Sequence, residues 1–239
     1  MTDEFFQLWT YLSEGPLLGL TVTLAAYQLG DWVYRKTKLN PLTNPVLIAV
    51  LLLVGLLVAT GTSYTAYFEG AQFVHFLLGP ATVALAVPLY KNLGALKRSL
   101  GAVTAAVIAG SLTATASAVG IAWALGAGRE TLLSIAPKSV TTPIAMGISE
   151  QIGGLPSLTA VVVILTGISG GMLATGTLDL LRIRDWRARG LAAGVAAHGI
   201  GTARALAVND VAGAFASLAM GLNGLATAIL LPLLFRLLG

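Results

Sequence analysis

The sequence has 239 residues, of which 56% are hydrophobic and 10% are charged, and its mean hydropathy is +0.85. Soluble domains carry roughly 25% charged residues, so this composition excludes a water-soluble fold and predicts about six to eight membrane crossings. The net charge of +4 comes from Lys and Arg in short loops between apolar runs, which is typical of membrane topology and argues against nucleic-acid binding.

Six apolar runs of membrane length follow one another along the chain. They cover residues 17–34, 46–62, 73–90, 100–125, 158–181 and 214–235. The third run includes Pro80 and Pro88. A short amphipathic piece with Phe5, Phe6 and Trp9 precedes the first run, and we expect it to lie at the membrane interface. This pattern predicts an all-α fold, a polytopic transmembrane helical bundle.

The basic loops predict the orientation of the chain in the membrane. Clusters of Lys and Arg follow the first, third and fifth runs, so the positive-inside rule places these loops in the cytoplasm and the N-terminus outside. We therefore predict a multi-pass protein of the cell (inner or cytoplasmic) membrane. The number of crossings agrees with this orientation only if the interval near 131–156 starts and ends on the outer side of the membrane, as a re-entrant hairpin or as two short crossings.

Two intervals broken by Pro, Gly and charge align with each other at an offset of 60 residues. The stretch APKSVTTPIAMGISEQIGGLPSL from Ala136 matches AAHGIGTARALAVNDVAGAFASL from Ala196 at six identical positions, among them Thr142 and Thr202. Chance similarity between two Ala/Gly-rich segments is the alternative. One run separates the intervals, so as a true repeat they would enter from opposite faces, which is typical of secondary transporters. We predict an N-terminal scaffold or oligomerisation region (1–98) and an inverted-repeat transport core (99–239) with hairpins near 131–156 and 190–213.

The broken intervals contain the candidate site residues. Irregular backbone at membrane depth is tolerated only where it is buried in protein or lines a watery cavity, and ionisable residues there are usually functional. Cations and a glycine pair are groups that would bind a carboxylate, and the hydroxyls would suit a hydroxy acid. The predicted substrate-binding residues are Lys138, Ser139, Thr141, Thr142, His198, Gly199, Gly201, Thr202 and Arg204. The predicted coupling residues are Glu150, His198 and Asp210.

Each of these residues also has a purely structural alternative. Lys138 and Arg204 pair in that case with Glu150 and Asp210. The hydroxyls then cap half-helices, and His198 forms a structural hydrogen bond. We expect Asn223, in the stretch MGLNG, to bridge helices rather than to contact substrate.

No arrangement of residues predicts an enzyme. The sequence has no cysteine and two histidines, so it predicts no metal site, and it contains no Ser/His/Asp constellation and no Walker A motif. We expect no catalytic residues and no cofactor.

Several motifs together resemble the LrgB/CidB family. They are PKSVTTPIAMGISEQIGG, LTAVVVILTGISGG, RIRDWRARGLAAGVAAHGIGTARA, GAFASLAMGLNG and, in the third run, GPATVALAVPLY. The resemblance implies a holin-like or antiholin-like role in murein hydrolase export and cell lysis, with a small membrane partner of the LrgA/CidA type. It also implies similarity to the plastid glycolate/glycerate translocator and to bacterial relatives linked to pyruvate.

Residues and resemblance together predict a secondary transporter of small 2-hydroxy or 2-oxo monocarboxylates, such as glycolate, glycerate or pyruvate, coupled to protons or another ion. The alternative is a holin-like or antiholin-like membrane protein that regulates murein hydrolase export and lysis. The expected partners are a small carboxylate anion, the LrgA/CidA-like protein and further copies of the chain, because small-residue helices are compatible with a homodimer.

Overall fold

A computed structural model gives the structure of the protein, and it describes residues 16–77, 80, 83–84 and 86–238. Within these ranges the regular structure is helical and contains no β-strand, which confirms the predicted all-α fold. The chain divides into two compact units, Met1–Ala84 and Leu85–Gly239. The predicted boundary after residue 98 falls inside a helix of the second unit, and the roles assigned to the two regions stay predictions. The amphipathic piece with Phe5, Phe6 and Trp9 lies outside the described residues.

The first unit is built from helices whose ends are fixed by asparagine and glycine. Its elements are α1 (Pro16–Lys36), a 3-10 turn (Pro41–Thr43), α2 (Pro45–Thr60) and α3 (Tyr64–Phe76). Asn44 Oδ1 accepts from Val46 N at 2.9 Å and so caps the start of α2, and Gly61 ends α2 in the left-handed region at φ 64°. A hydrogen bond of 2.7 Å between Thr23 Oγ1 and the Tyr67 hydroxyl joins α1 to α3.

The third predicted run does not form one helix. Helix α3 begins earlier, at Tyr64, and ends at Phe76, and the next described helix, α4, covers Ala86–Lys91. Most of the residues between them lie outside the described ranges. Pro80 gives the physical reason for the break, because its missing N–H is the one that would bond the Phe76 carbonyl in a continuous helix.

The second unit contains the long helices. After α4 come α5 (Leu93–Ala124), α6 (Arg129–Ile135), α7 (Thr142–Ile152), α8 (Pro156–Leu180), α9 (Trp186–Val208) and α10 (Asp210–Leu238). Among the described residues, four helices are long and apolar enough to cross a membrane, namely Lys97–Ala124, Pro156–Leu180, Trp186–Val208 and Asp210–Arg236. Helices α1 and α2 coincide with the first two predicted runs. Helix α2 is apolar but has 16 residues, so it is about 24 Å long against a hydrocarbon core of about 30 Å.

Helices α9 and α10 form a tightly packed hairpin. A Cβ placed on Gly190 or Gly194 would overlap the backbone of Ala212 or Ala216 on α10, so only glycine allows this approach. Phe215 of α10, which is 1% exposed, packs beside this contact with α5 and α9 valines. This hairpin places the middle of α9 in the interior of the second unit.

Candidate functional site

The first interruption is the segment 136–141, which separates α6 from α7. Pro137 lies within it and Pro143 lies in the first turn of α7, and proline is disfavoured inside a helix but favoured in a first helical turn. The segment closes through short-range bonds, from Lys138 N to Ile135 O at 3.1 Å and from Val140 N to Pro137 O at 3.3 Å. The predicted break in the interval 131–156 is therefore confirmed, as two short helices joined by a turn.

The second interruption is a kink inside α9, at Ala197 and His198. Their backbone angles are not helical, and His198 has φ 40° and ψ −129°. A non-glycine residue in this region is strained by on the order of 1–3 kcal/mol, so the surroundings must stabilise it. Two bonds do so: His198 Nε2 donates to Val163 O at 2.9 Å, and Thr202 Oγ1 donates to His198 O at 2.7 Å.

The two interruptions fall at positions that the offset of 60 residues brings together. The kink residues Ala197 and His198 align with Pro137 and Lys138, and in both intervals a helical segment, a break, a second helical segment and a membrane-length helix follow in order. The repeat and its inverted orientation stay predictions.

Asn223 on α10 joins the two interruptions. Its Nδ2 donates to Ser139 O at 3.0 Å, in the first interruption, and to Val195 O at 3.3 Å, two residues before the kink. The side chain is 1% exposed, and its Oδ1 has no hydrogen-bond partner among the described residues. The expected role of Asn223 in bridging helices is confirmed, but the sequence did not place it between both candidate segments.

Lys138 is a half-buried cation in the first interruption. Its Nζ donates to Ser139 Oγ at 3.3 Å, and Ser139 is buried. In the part of the chain that the structure describes, no carboxylate lies within ion-pair distance of Lys138. The described residues therefore do not form the structural alternative, an ion pair of Lys138 with Glu150 or Asp210.

Arg204 belongs to the helical segment after the kink. It is half-buried, and its Nη2 donates to Thr175 Oγ1 at 3.1 Å on α8. An arginine guanidinium can bind a carboxylate with two parallel hydrogen bonds. A ligand role for Arg204 remains a prediction.

The predicted hydroxyl and glycine positions differ in their surroundings. Thr141 and Thr142 are half-buried at the start of α7, and the Thr141 side chain does not cap that helix. Thr202 is buried and already bonded to the His198 carbonyl. A Cβ on Gly201 would meet Ala193 O at 2.5 Å, so Gly201 serves the packing of its own helix across the kink, whereas a Cβ on Gly199 would meet only Met220 Sδ, at 4.0 Å.

The two predicted coupling carboxylates lie at the ends of their helical segments. Glu150 is exposed near the end of α7, and Asp210 is exposed as the first residue of α10. The residue that caps α10 is Asn209, whose Oδ1 accepts from Val211 N at 3.0 Å. The coupling role of Glu150, Asp210 and His198 stays a prediction.

A cluster of buried hydroxyls, which the sequence analysis did not single out, connects the helices around the first interruption. Thr159 Oγ1 on α8 hydrogen-bonds Ser149 Oγ at 2.7 Å and Ser134 O at 2.8 Å, and Ser134 Oγ accepts from Leu155 N at 2.7 Å. Ser134, Ser149 and Thr159 are all 0% exposed. We call these three residues the hydroxyl cluster. It joins α6, α7 and α8, and so it positions the first interruption.

No group of three His, Asp or Glu side chains suited to a metal ion occurs within the described ranges. The site instead combines half-buried cations, interrupted backbone and a buried amide. These groups suit an anion that also has a hydrogen-bonding substituent.

The comparisons with known proteins identify the family of the chain. Residues 23–237 match the LrgB-like family. The chain is 32% identical over 94% of its length to "Antiholin-like protein LrgB" of Bacillus subtilis (strain 168), covering 97% of that protein, and 38% identical over 91% of its length to "Uncharacterized protein YwbG" of the same organism, covering 96%. It is also 32% identical over 94% of its length to the "Antiholin-like protein LrgB" of Bacillus mycoides (strain KBAB4), covering 97% of that relative. No solved structure shows a significant match. With its membrane-length helices and these relatives, the chain is a multi-pass membrane protein that belongs to the LrgB-like family.

Proposed function

We propose that this chain is a secondary transporter of small 2-hydroxy or 2-oxo monocarboxylates, such as glycolate, glycerate or pyruvate, driven by protons or another ion. The observation that carries the proposal is the state of Lys138, a half-buried cation without a carboxylate partner among the described residues. A charged side chain at membrane depth costs about 2.5–3.5 kcal/mol, and an anionic ligand would offset this cost.

The backbone around Lys138 supports anion binding. Helix α7 starts at Thr142, directly after the first interruption, and no side chain caps its first N–H groups. The uncapped N-terminus of an 11-residue helix presents partial positive charge. Lys138 and this helix start would therefore bind the carboxylate together.

The other predicted residues have defined parts in the proposal. Arg204, in the part of α9 that follows the kink, would also bind the carboxylate of the substrate. Thr142 and Thr202 would contact the substituent on its second carbon. The Thr202 hydroxyl donates to His198 O, so only its lone pairs are available to a ligand. His198, Glu150 and Asp210 would take part in coupling.

The proposed topology has the N-terminus outside, in the cell membrane, and the two hairpins entering from opposite faces. Alternating access would then follow from one half of the repeat moving against the other around a fixed site. A homodimer would place further contacts on the small-residue helix surfaces.

Uptake by proteoliposomes tests the proposal. Purified protein should accumulate labelled glycolate, glycerate or pyruvate with saturation, and unlabelled acids should compete. Lys138→Met and Arg204→Gln should reduce the rate at least about tenfold, since each removes a charged hydrogen bond worth about 1.5–3 kcal/mol. Lys97→Met, at an exposed position of α5, is the matched control and should transport normally. Undiminished uptake in both site variants would refute the assignment.

A second function is favoured by the names of the relatives, which support it better than they support carboxylate transport. The "Antiholin-like protein LrgB" relatives suggest that this chain regulates murein hydrolase export and lysis, together with a small LrgA/CidA-like membrane protein. Such a protein, acting as an unselective pore, should release solutes without saturation and without stereochemical preference. Its effect on lysis should also depend on the partner. Saturable, competable uptake by the chain alone would exclude this function as the sole one.

A further inference from the structure

The unpaired oxygen of Asn223 is the feature of the site that the proposed function does not explain. The side chain is 1% exposed, so water outside the protein does not reach it freely, and buried polar atoms in folded proteins almost always have a partner. A bound water, a substrate group or an ion would satisfy such an atom.

The orientation of the Asn223 amide follows from its neighbours. Both of its contacts, Ser139 O and Val195 O, are carbonyl oxygens and only accept hydrogen bonds. The –NH₂ group must therefore face them, and the unpaired atom is the amide oxygen, which only accepts. The group that completes the site is therefore a hydrogen-bond donor or a cation, and not an acceptor.

This requirement selects among small carboxylic acids. A 2-hydroxy acid carries an O–H donor on the carbon next to its carboxylate, whereas a 2-oxo acid carries an acceptor there. Lys138 and Asn223 are both tied to Ser139, the first through Ser139 Oγ at 3.3 Å and the second through Ser139 O at 3.0 Å. Both side chains thus lie beside the same residue, and the inference requires one small molecule to present its carboxylate to Lys138 and its hydroxyl to Asn223.

We infer that Asn223 Oδ1 accepts the hydroxyl hydrogen of the substrate and makes the site selective for 2-hydroxy over 2-oxo monocarboxylates. The inference rests on the proposed transport function and narrows its substrate class. A site that hydrogen-bonds a substrate hydroxyl discriminates strongly against an analogue that lacks the donor, because a buried group is then left unpaired.

Competition for labelled glycolate uptake in proteoliposomes tests the inference on the unmodified chain. Lactate should compete at least about tenfold better than its oxo counterpart, pyruvate. Equal competition, or better competition by pyruvate, would overturn the inference while leaving transport intact. If none of glycolate, lactate and pyruvate is taken up or competes, the proposed function fails instead.

Variants of Asn223 assign the preference to this residue. Asn223→Leu and Asn223→Ser should reduce the preference to within about twofold, because neither provides the amide oxygen. Thr227→Val is the matched control: Thr227 is also buried on α10, but it bonds Ser111 at 3.2 Å, so the preference should persist. The preference is a ratio and does not depend on the amount of folded protein. If both Asn223 variants are inactive, the wild-type competition decides.

A cation such as Na⁺ is the other group that would satisfy an unpaired amide oxygen. Uptake should therefore be measured in Na⁺ and in choline media. A requirement for Na⁺ that Asn223→Ser weakens, with the hydroxy-acid preference unchanged, would overturn the inference and assign the oxygen to a coupling cation.

Discussion

The hydroxyl of Thr202 donates a hydrogen bond of 2.7 Å to the carbonyl oxygen of His198, across the kink in α9. His198 has a strained backbone conformation at φ 40°, and Thr202 lies one helical turn later. The bond satisfies a carbonyl next to the point where the regular helical pattern is broken. Thr202 is therefore a structural support for the second interruption as well as a candidate ligand.

Replacing Thr202 should destabilise the fold at this kink. Thr202→Val keeps the shape of the side chain but removes its buried hydrogen bond to the His198 carbonyl, so we expect a loss of about 1–2 kcal/mol. Thermal unfolding of the purified protein in detergent measures it. Thr177→Val, at an exposed position of α8, is the control. Equal stability of the two variants would contradict this role of Thr202.

The hairpin of α9 and α10 should not accept a methyl group at its closest contact. Gly194→Ala places a Cβ against the backbone of Ala216, which cannot move as a side-chain tip can, and we expect a loss of at least about 1–3 kcal/mol. Gly120→Ala in α5 meets nothing within 4 Å and should be neutral or stabilising by up to about 1 kcal/mol. The yield of monodisperse protein and its Tm distinguish the two. A Gly194→Ala protein as stable as Gly120→Ala would disprove the close approach.

The hydroxyl cluster should contribute more to stability than a surface hydroxyl. Thr159→Val removes the bonds to Ser149 and to the Ser134 carbonyl, so we expect a loss of about 1–2 kcal/mol. Ser169→Ala removes a hydrogen bond of 2.7 Å to Leu165 O on the exposed side of the same helix and should cost less than about 0.5 kcal/mol. Comparison of their unfolding temperatures is decisive. An unfolding temperature of Thr159→Val equal to or above that of Ser169→Ala would contradict a structural role for the hydroxyl cluster.

Asp185 at the start of α9 should give a small pH dependence. Its carboxylate accepts from Arg187 N at 2.9 Å, and hydrogen bonds from the Arg187 side chain and backbone hold the pKa of the Asp185 carboxyl below its usual range. A lowered pKa in the folded state means that the stabilisation is present above the unfolded pKa of about 3.9 and is lost as the pH falls through the folded value.

We therefore expect Asp185→Ala to lose about 0.5–1 kcal/mol at pH 7, mainly through the helix cap, since the exposed ion pair adds little. The difference from wild type should shrink below about pH 4, where the unfolded carboxyl becomes protonated. Asp185→Asn retains a capping oxygen and should stay within a few tenths of a kcal/mol of wild type. Unfolding curves at pH 7 and pH 3.5 measure both effects. A wild-type advantage that grows on acidification would contradict the sign.

Hydrophobic runs predicted most of the helices, because membrane helices are long and apolar. Proline, which removes a backbone donor, helped to predict the first interrupted interval, whereas the second contains no proline and was predicted from its glycines and charges. The third run, 73–90, does not match a described helix, because α3 ends at Phe76 and α4 begins at Ala86. The kink at His198 could not be located, because the strained residue is neither glycine nor proline.

The connections of the site could not be read from the sequence for a related reason. Asn223 bonds backbone carbonyls that lie 84 and 28 residues away, and backbone carbonyls leave no mark on residue identity. The hydroxyl cluster likewise uses serine and threonine, which are common throughout the apolar helices. An amide in an apolar run is nevertheless a usable signal, since polar groups at membrane depth are costly unless they are bonded.

The most direct test of whether Lys138 and the interrupted helices form an anion site is glycolate binding, measured as the thermal stabilisation of the purified protein. A ligand that binds only the folded state stabilises it by about 2.7 kcal/mol at a concentration one hundred times its Kd. We expect the Tm of wild type and of Lys97→Met to rise with glycolate concentration and then to level off, and Lys138→Met to respond only at concentrations at least about tenfold higher. An identical response of wild type and Lys138→Met, or no response of wild type to any of glycolate, glycerate and pyruvate, would contradict the proposed site.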